Sequence, residues 1–132
     1  MSDMTGKYAL VVDDDQVTCN TLRQALEMLG MQTEIVLDGL EALDRINRQP
    51  PDLVLLDVMM PHLDGLSVLA RLRKNPLTRD IPVIVVSSVP VGERELSKLP
   101  GVNRVLHKSE FSLAAVRSML AEVMGAAERS AA

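Results

Sequence analysis

Asp13, Asp14 and Asp15 stand in a row directly after an apolar run, Tyr8-Ala9-Leu10-Val11-Val12. Asp57 ends a second such run, Leu53-Val54-Leu55-Leu56, and Ser87-Ser88 ends a third, Pro82-Val83-Ile84-Val85-Val86. Lys108 comes just after a mixed stretch, Val102-Asn103-Arg104-Val105-Leu106. Carboxylates gathered at one point repel one another, and a hard dication relieves that repulsion. Magnesium prefers oxygen ligands and is held by one or two carboxylates together with water and phosphate oxygens. Manganese accepts the same oxygen donors. A carboxylate is also a nucleophile that forms acyl phosphates. A phosphoryl group in transfer carries negative charge on three oxygens, so it needs cations and hydrogen-bond donors around it. Lys108 offers the cation and the Ser87 hydroxyl a donor.

These groups act together only if the chain brings them to one place. Apolar runs rich in β-branched residues alternate here with segments of helical period. After the first run, Val17, Leu22, Ala25, Leu26 and Leu29 fall near helical spacing, and Gly30 suits the cap that follows. A shorter, less apolar strand over 33–37 fits a sheet edge. Leu40, Leu43 and Ile46 mark a second helix, ended by Pro50-Pro51. The third strand covers 53–56, a third helix 66–72 with Asp64 or Gly65 near its start, and the fourth strand 82–86. A short fourth helix is expected over 91–99, a fifth strand over 102–106 and a closing helix over 113–123. Beyond Gly125 the Ala-rich tail is expected to fray. Five strands alternating with five helices predict an α/β fold, a doubly wound parallel sheet with helices on both faces. Right-handed crossovers leave few topologies. In such a sheet the ligand site lies outside the carboxyl ends of the strands, at a switch point, and Asp13, Asp57, Ser87 and Lys108 would share that rim.

The totals agree with this reading. A chain of 132 residues fits one domain, with a core over about 7–124 and a tail at 125–132. Apolar residues make up 47% and charged residues 24%, an ordinary globular balance. Tyr8 and Phe111 are the aromatic residues, so the core must be aliphatic, with the eight methionines mostly as filler. A net charge of -4 argues against direct nucleic-acid binding. Cys19, the single cysteine, is expected to be a small packed residue in a reducing compartment. No apolar run reaches the length of a membrane span, and Met1-Ser2-Asp3-Met4 lacks the regions of a signal peptide, so no membrane insertion and a cytoplasmic location are expected. One of the three aspartates should cap the first helix. His62 and His107 are not at metal-ligand spacing and read as surface or loop residues.

The motifs together resemble the receiver domains of bacterial two-component response regulators. Val11-Val12-Asp13-Asp14-Asp15 is similar to the family's acidic pair after strand one. Leu55-Leu56-Asp57-Val58-Met59-Met60-Pro61-His62-Leu63-Asp64-Gly65 is similar to its phosphoacceptor segment. Ser87 fits its Ser/Thr position after strand four and Lys108 its lysine after strand five. The resemblance implies a flavodoxin-like sheet of strand order 2-1-3-4-5 and makes Asp57 the phosphoacceptor. Asp13, Asp14 and Asp57 would hold magnesium, or manganese, with the Met59 backbone carbonyl as a further ligand. Ser87 and Lys108 would contact the phosphoryl group. The implied partners are a histidine kinase or histidine phosphotransfer protein as donor and a downstream target.

Two positions depart from the family pattern. Ser109 stands where Pro often follows the lysine, and Val105 stands where many receivers carry an aromatic residue on strand five. Val105 and Ser87 are the expected switch positions, on the face built from the fourth helix, the fifth strand and the closing helix. Met59 and Val89, both apolar, are expected to flank the phosphoryl group and restrict the attacking water. The departures motivate an alternative, a degenerate receiver acting as a phosphorylation-independent interaction module. An aspartate-nucleophile phosphatase would want a second acid two residues after Asp57, where Met59 stands. A flavin carrier is disfavoured by the scarcity of aromatics. The expectation is therefore a signalling domain that assists its own phosphorylation and dephosphorylation, not a turnover enzyme.

Overall fold

The computed structural model describes residues 4–58, 65–88 and 101–131, with the backbone alone over 126–131. Five strands, β1 (Tyr8–Val12), β2 (Gln32–Val36), β3 (Leu53–Asp57), β4 (Val83–Ser87) and β5 (Arg104–His107), form one sheet of order β2-β1-β3-β4-β5. Every pairing is parallel. The helices are α1 (Gln16–Met28), α2 (Gly39–Arg48), α3 (Gly65–Lys74) and the closing helix α4 (Leu113–Ala131). This is the expected flavodoxin-like order, with β2 at the edge as its weaker apolar character predicts. The helix expected over 91–99 lies outside the described residues. The closing helix continues past Gly125 to Ala131.

β1, β3 and β4 are buried at every position, so the runs read as uninterrupted because both faces are covered. Alternate residues go to opposite faces. Ala9, Val11, Leu55, Ile84, Val86 and Leu106 meet α1 and α4 through Leu22, Leu26, Val116, Leu120 and Val123. Leu10, Val12, Leu56, Val85 and Val105 meet α2 and α3 through Ala42, Ile46, Val68 and Leu72. Burying each large aliphatic side chain contributes about 1.5–3 kcal/mol, so the core holds the strand ends firmly.

The helices differ from the expected pattern at their first turns. Val17 and Leu40 are exposed, at 73% and 57%, while Cys19, Leu22, Ala25 and Leu26 carry the buried face of α1. Both residues sit at the carboxyl rim, where the helices begin beyond the cover of the sheet. Asp38 caps α2 by accepting from the Glu41 amide at 2.8 Å. Gly30, at φ +93°, follows α1 and lets the Gly30 and Met31 amides donate to the Glu27 and Leu26 carbonyls. β5 starts at Arg104, two residues later than expected. Asn103 bonds β4 outside the ladder: its amide donates to the Val83 carbonyl at 3.0 Å and its Oδ1 accepts from the Val83 amide at 2.8 Å.

The amino end of this half of the sheet is tied by Arg73, in the last turn of α3. Its guanidinium donates to the Arg79 carbonyl at 2.7 Å, to the Ile81 carbonyl at 2.8 Å, to the Gly101 carbonyl, and to Asn103 Oδ1 at 3.3 Å. Gly101, at φ +83°, has the Arg73 side chain lying where a β-carbon would stand. Among the described residues, no helix is long and apolar enough to cross a membrane.

Candidate phosphoryl and metal site

Four strand ends deliver the polar residues to the carboxyl rim. Asp13 follows β1 directly, and its amide donates to the Val36 carbonyl at 3.2 Å. Asp57 is the last residue of β3 and pairs with Val86. Ser87 is the last residue of β4 and pairs with His107, after which Lys108 opens a single 3-10 turn, Lys108–Glu110. The Lys108–Ser109 peptide is trans. Asp13, Asp57 and Ser87 are buried, at 1%, 4% and 1% exposure, whereas Asp14 faces solvent.

Ligand oxygens of Asp13, Asp14 and Asp57 all lie within 4.8 Å of one another. Lys108 Nζ stands 3.0 Å from Asp13 Oδ2 and 3.7 Å from Asp57 Oδ2. Three carboxylates facing one ammonium leave a formal excess of negative charge. Burial, the largest single influence on Lys108, pulls its pKa down. The adjacent Asp13 carboxylate first, then the charges of Asp57 and Asp15, outweigh it and hold the ammonium above its ordinary value.

Asp13 is held from several sides. Its Oδ1 accepts from the Asp15 amide at 2.9 Å, and its carbonyl accepts from the Cys19 thiol at 3.3 Å. Its Oδ2 is buried and accepts no hydrogen bond of regular geometry, so its close partner is the Lys108 charge. A buried carboxylate oxygen in that condition, with two more carboxylates in reach, fits a hard dication. Asp15 is the helix cap: its carboxylate accepts from the Val17 amide at 3.2 Å and the Thr18 hydroxyl at 2.6 Å. The Thr18 bond is the largest cause holding its pKa below the ordinary carboxylate value. Of the three successive aspartates, two thus turn to the pocket and one to the helix. The Cys19 thiol is pushed up to about 11, by burial first and then by the charges of Asp13 and Asp15, which suits a donor and not a nucleophile.

The structure therefore brings Asp13, Asp14, Asp57 and Lys108 together, with Ser87 on the next strand end. Val105 lies three residues before Lys108, buried against the α2–α3 side beside Val85. Met59 and Val89 lie outside the described residues. The sequence placed Gly65 near the start of the third helix, where it stands, but gave no sign of its contact with Asp57 or of the support from Cys19. Gly65 opens α3 hard against the backbone of Asp57 and Val58.

Known proteins resemble this chain in sequence and in fold. The family model described as the response regulator receiver domain matches residues 9–121. The chain is 42% identical over 115 residues to the response regulator MprA of Mycobacterium sp. (strain KMS), covering 84% of this chain and 49% of that protein. It thus spans about half the length of the curated relatives it matches. Among solved structures, the receiver domain of the Francisella response regulator 1452 is 32% identical, with a TM-score of 0.79 over 91% of this chain and 98% of that one. The receiver domain of the sensor histidine kinase PA1611 from Pseudomonas aeruginosa is 30% identical, with a TM-score of 0.82 over 92% and 99%. That structure has a magnesium ion coordinated in its active site cleft. Fold, clustered acids and family match converge: the chain belongs to the response regulator receiver domains of two-component systems.

Proposed function

We propose that this chain is a phosphoacceptor switch in which Asp57 receives a phosphoryl group from the phosphohistidine of a histidine kinase or histidine phosphotransfer protein. The observation that carries this is the grouping of Asp13, Asp14 and Asp57 oxygens within 4.8 Å, with Lys108 Nζ 3.7 Å from Asp57. An Asp57 oxygen attacks phosphorus as the phosphorus–nitrogen bond breaks. The bond's electron pair stays on the donor imidazole, and an acyl phosphate remains on Asp57. Asp57 needs no base, because it attacks as a carboxylate. Lys108 offsets the charge of the phosphoryl oxygens as they approach the acidic pocket, and Ser87 donates its hydroxyl to one of them. Lys108 must therefore exchange its carboxylate partners for phosphoryl oxygen.

Asp13, Asp14 and Asp57 would hold magnesium, or manganese, with the Met59 carbonyl as the further ligand that the family resemblance implies, and a bound ion would supply positive charge against the transferred group. The magnesium in the cleft of the Pseudomonas receiver supports this reading. Met59 and Val89 limit the attacking water and lengthen the life of the acyl phosphate. Phosphorylation draws Ser87 toward Asp57 and resets the face expected of the fourth helix read from the sequence over 91–99, of β5 with Val105, and of the closing helix. The added charge biases a two-state element, and a downstream target reads it. The chain acts in the cytoplasm as a single receiver domain, as a signalling module and not as a turnover enzyme.

Intact-mass spectrometry after incubation with acetyl phosphate, with and without magnesium, tests the reading. A magnesium-dependent single phosphoryl adduct is expected on the wild type and none on Asp57→Asn. Undiminished labelling of the variant would remove Asp57 from its role.

A further inference from the structure

We infer that Gly65 is a positioning residue for Asp57, an inference that rests on the phosphoacceptor reading above. Gly65 is the first residue of α3 and is buried. A β-carbon built on it would overlap the Asp57 carbonyl oxygen, and would lie 2.8 Å from Val58 Cα and 3.0 Å from the Asp57 carbonyl carbon. Its own amide donates to the Val58 carbonyl at 3.4 Å. The three nearest atoms it would meet are all backbone, and none belongs to a flexible side-chain end that could step aside. Its backbone is not in the left-handed region, so space and not conformational freedom calls for glycine here.

The consequence follows from where these atoms sit. Asp57 ends β3, and its pairing to Val86 is the last rung of that ladder. On one side the sheet fixes the Asp57 backbone, and beyond it the strand register gives no further hold. The first turn of α3 supplies that hold by closing onto the Asp57–Val58 peptide. A methyl group at position 65 has to push either α3 outward or the Asp57 peptide off the rung. Either shift moves the acceptor carboxylate relative to Asp13, whose place is set independently by Val36, Asp15 and Cys19. The reaction needs the two carboxylates in register, and a displacement of about 1 Å at such a site costs on the order of 100-fold in rate.

The test compares Gly65→Ala with Leu72→Ala, a truncation in the buried face of the same helix. Magnesium affinity by calorimetry and labelling rate by acetyl phosphate are read on both, with the folded fraction checked by urea titration. Gly65→Ala should bind magnesium at least about 10-fold more weakly and label about 100-fold more slowly, while Leu72→Ala, though destabilised, keeps both near wild type. Equal losses in the two variants, or none in Gly65→Ala, would overturn the inference. If Gly65→Ala does not fold, the wild type still decides. A magnesium titration followed by amide NMR should move the Gly65 amide at the same half-saturation as Asp13, and an unmoved Gly65 would overturn the inference. A wild type that neither binds magnesium nor takes label would instead bring down the phosphoacceptor reading itself.

Discussion

At the carboxyl end of the sheet one ammonium, Lys108, faces the carboxylates of Asp13 and Asp57, with Asp14 in reach of both. At the amino end one guanidinium, Arg73, is met by the carbonyls of Arg79, Ile81 and Gly101 and by the Asn103 amide oxygen. The first end gathers like charges and leaves Asp13 Oδ2 without a regular hydrogen bond. The second satisfies a planar donor fork with neutral acceptors, and the charge that acts on it, Asp80, is opposite in sign. Crowded carboxylates cost stability and confer chemistry, whereas a satisfied Arg holds elements together and has no reactive role. Places where local rules are broken are where function is expected, and the cost is met elsewhere in the fold.

The sharpest test of this contrast is to relieve the crowding. Divalent ion that binds only the folded chain stabilises it by about 2.7 kcal/mol at 100 times its dissociation constant. Urea titrations of the wild type should show a gain of that order on adding magnesium. Asp14→Asn removes one exposed carboxylate without touching the Lys108 pairs. A roughly tenfold loss of affinity at the same magnesium concentration would cut the gain to about 1.4 kcal/mol. Without magnesium the variant should be as stable as the wild type or better by about 0.5 kcal/mol. A metal-free loss of stability would mean that the acidic end is not under repulsion.

The amino end should respond the opposite way. Arg73→Ala strips the half-buried Ile81 carbonyl and the exposed Arg79 and Gly101 carbonyls of a donor, and its cost should be roughly 1 kcal/mol in urea. Arg73→Lys should not restore it, because an ammonium cannot reach four oxygens in a planar fork. Labelling of the folded fraction by acetyl phosphate should stay at the wild-type rate. A labelling defect without a stability defect would show that the two ends are not separable.

How much of this was legible in the sequence depends on whether a residue's role is set by its neighbours in the chain. Asp13 and Asp57 are readable because each interrupts a run that is buried at every position, so a polar residue there marks a strand end. The 2-1-3-4-5 order was what the family resemblance implied, and β2 read as an edge because the run over 33–37 is short and less apolar. Val17 and Leu40 mark their helices yet stay exposed, because helical period says nothing about where a helix overhangs the sheet. The start of β5 was set two residues early because the Asn103 side chain takes up a pairing that the backbone would otherwise make. Arg73, in the last turn of α3, reads as a solvated cation suited to the helix dipole, and its carbonyl partners come from residues up to 30 positions away. The close approach of Gly65 to Asp57 is a tertiary fact with no signature beyond the Asp-Gly pair.

The smallest expected effect concerns the pH dependence of the acidic end. Burial is the largest influence on Lys108 and lowers its pKa, but Asp13, Asp57 and Asp15 together leave it raised in the folded chain. A raised folded pKa means that the folded state binds the proton more tightly than the unfolded one. The stabilisation is then complete below the unfolded lysine value of about 10.4 and is lost as pH rises through the folded value. Because the ammonium is partly open to solvent, its contribution should stay under about 1 kcal/mol. The comparison must be differential, against a variant that lacks the ammonium. In magnesium-free urea titrations from pH 8 to 11, the wild type should lose its advantage over Lys108→Met only above about pH 10.4. An advantage that grew with pH would mean that desolvation, and not the carboxylates, governs Lys108. An advantage unchanged across the range would mean that the ammonium lends the acidic end no charge stabilisation, and the contrast with Arg73 would then rest on hydrogen bonding alone.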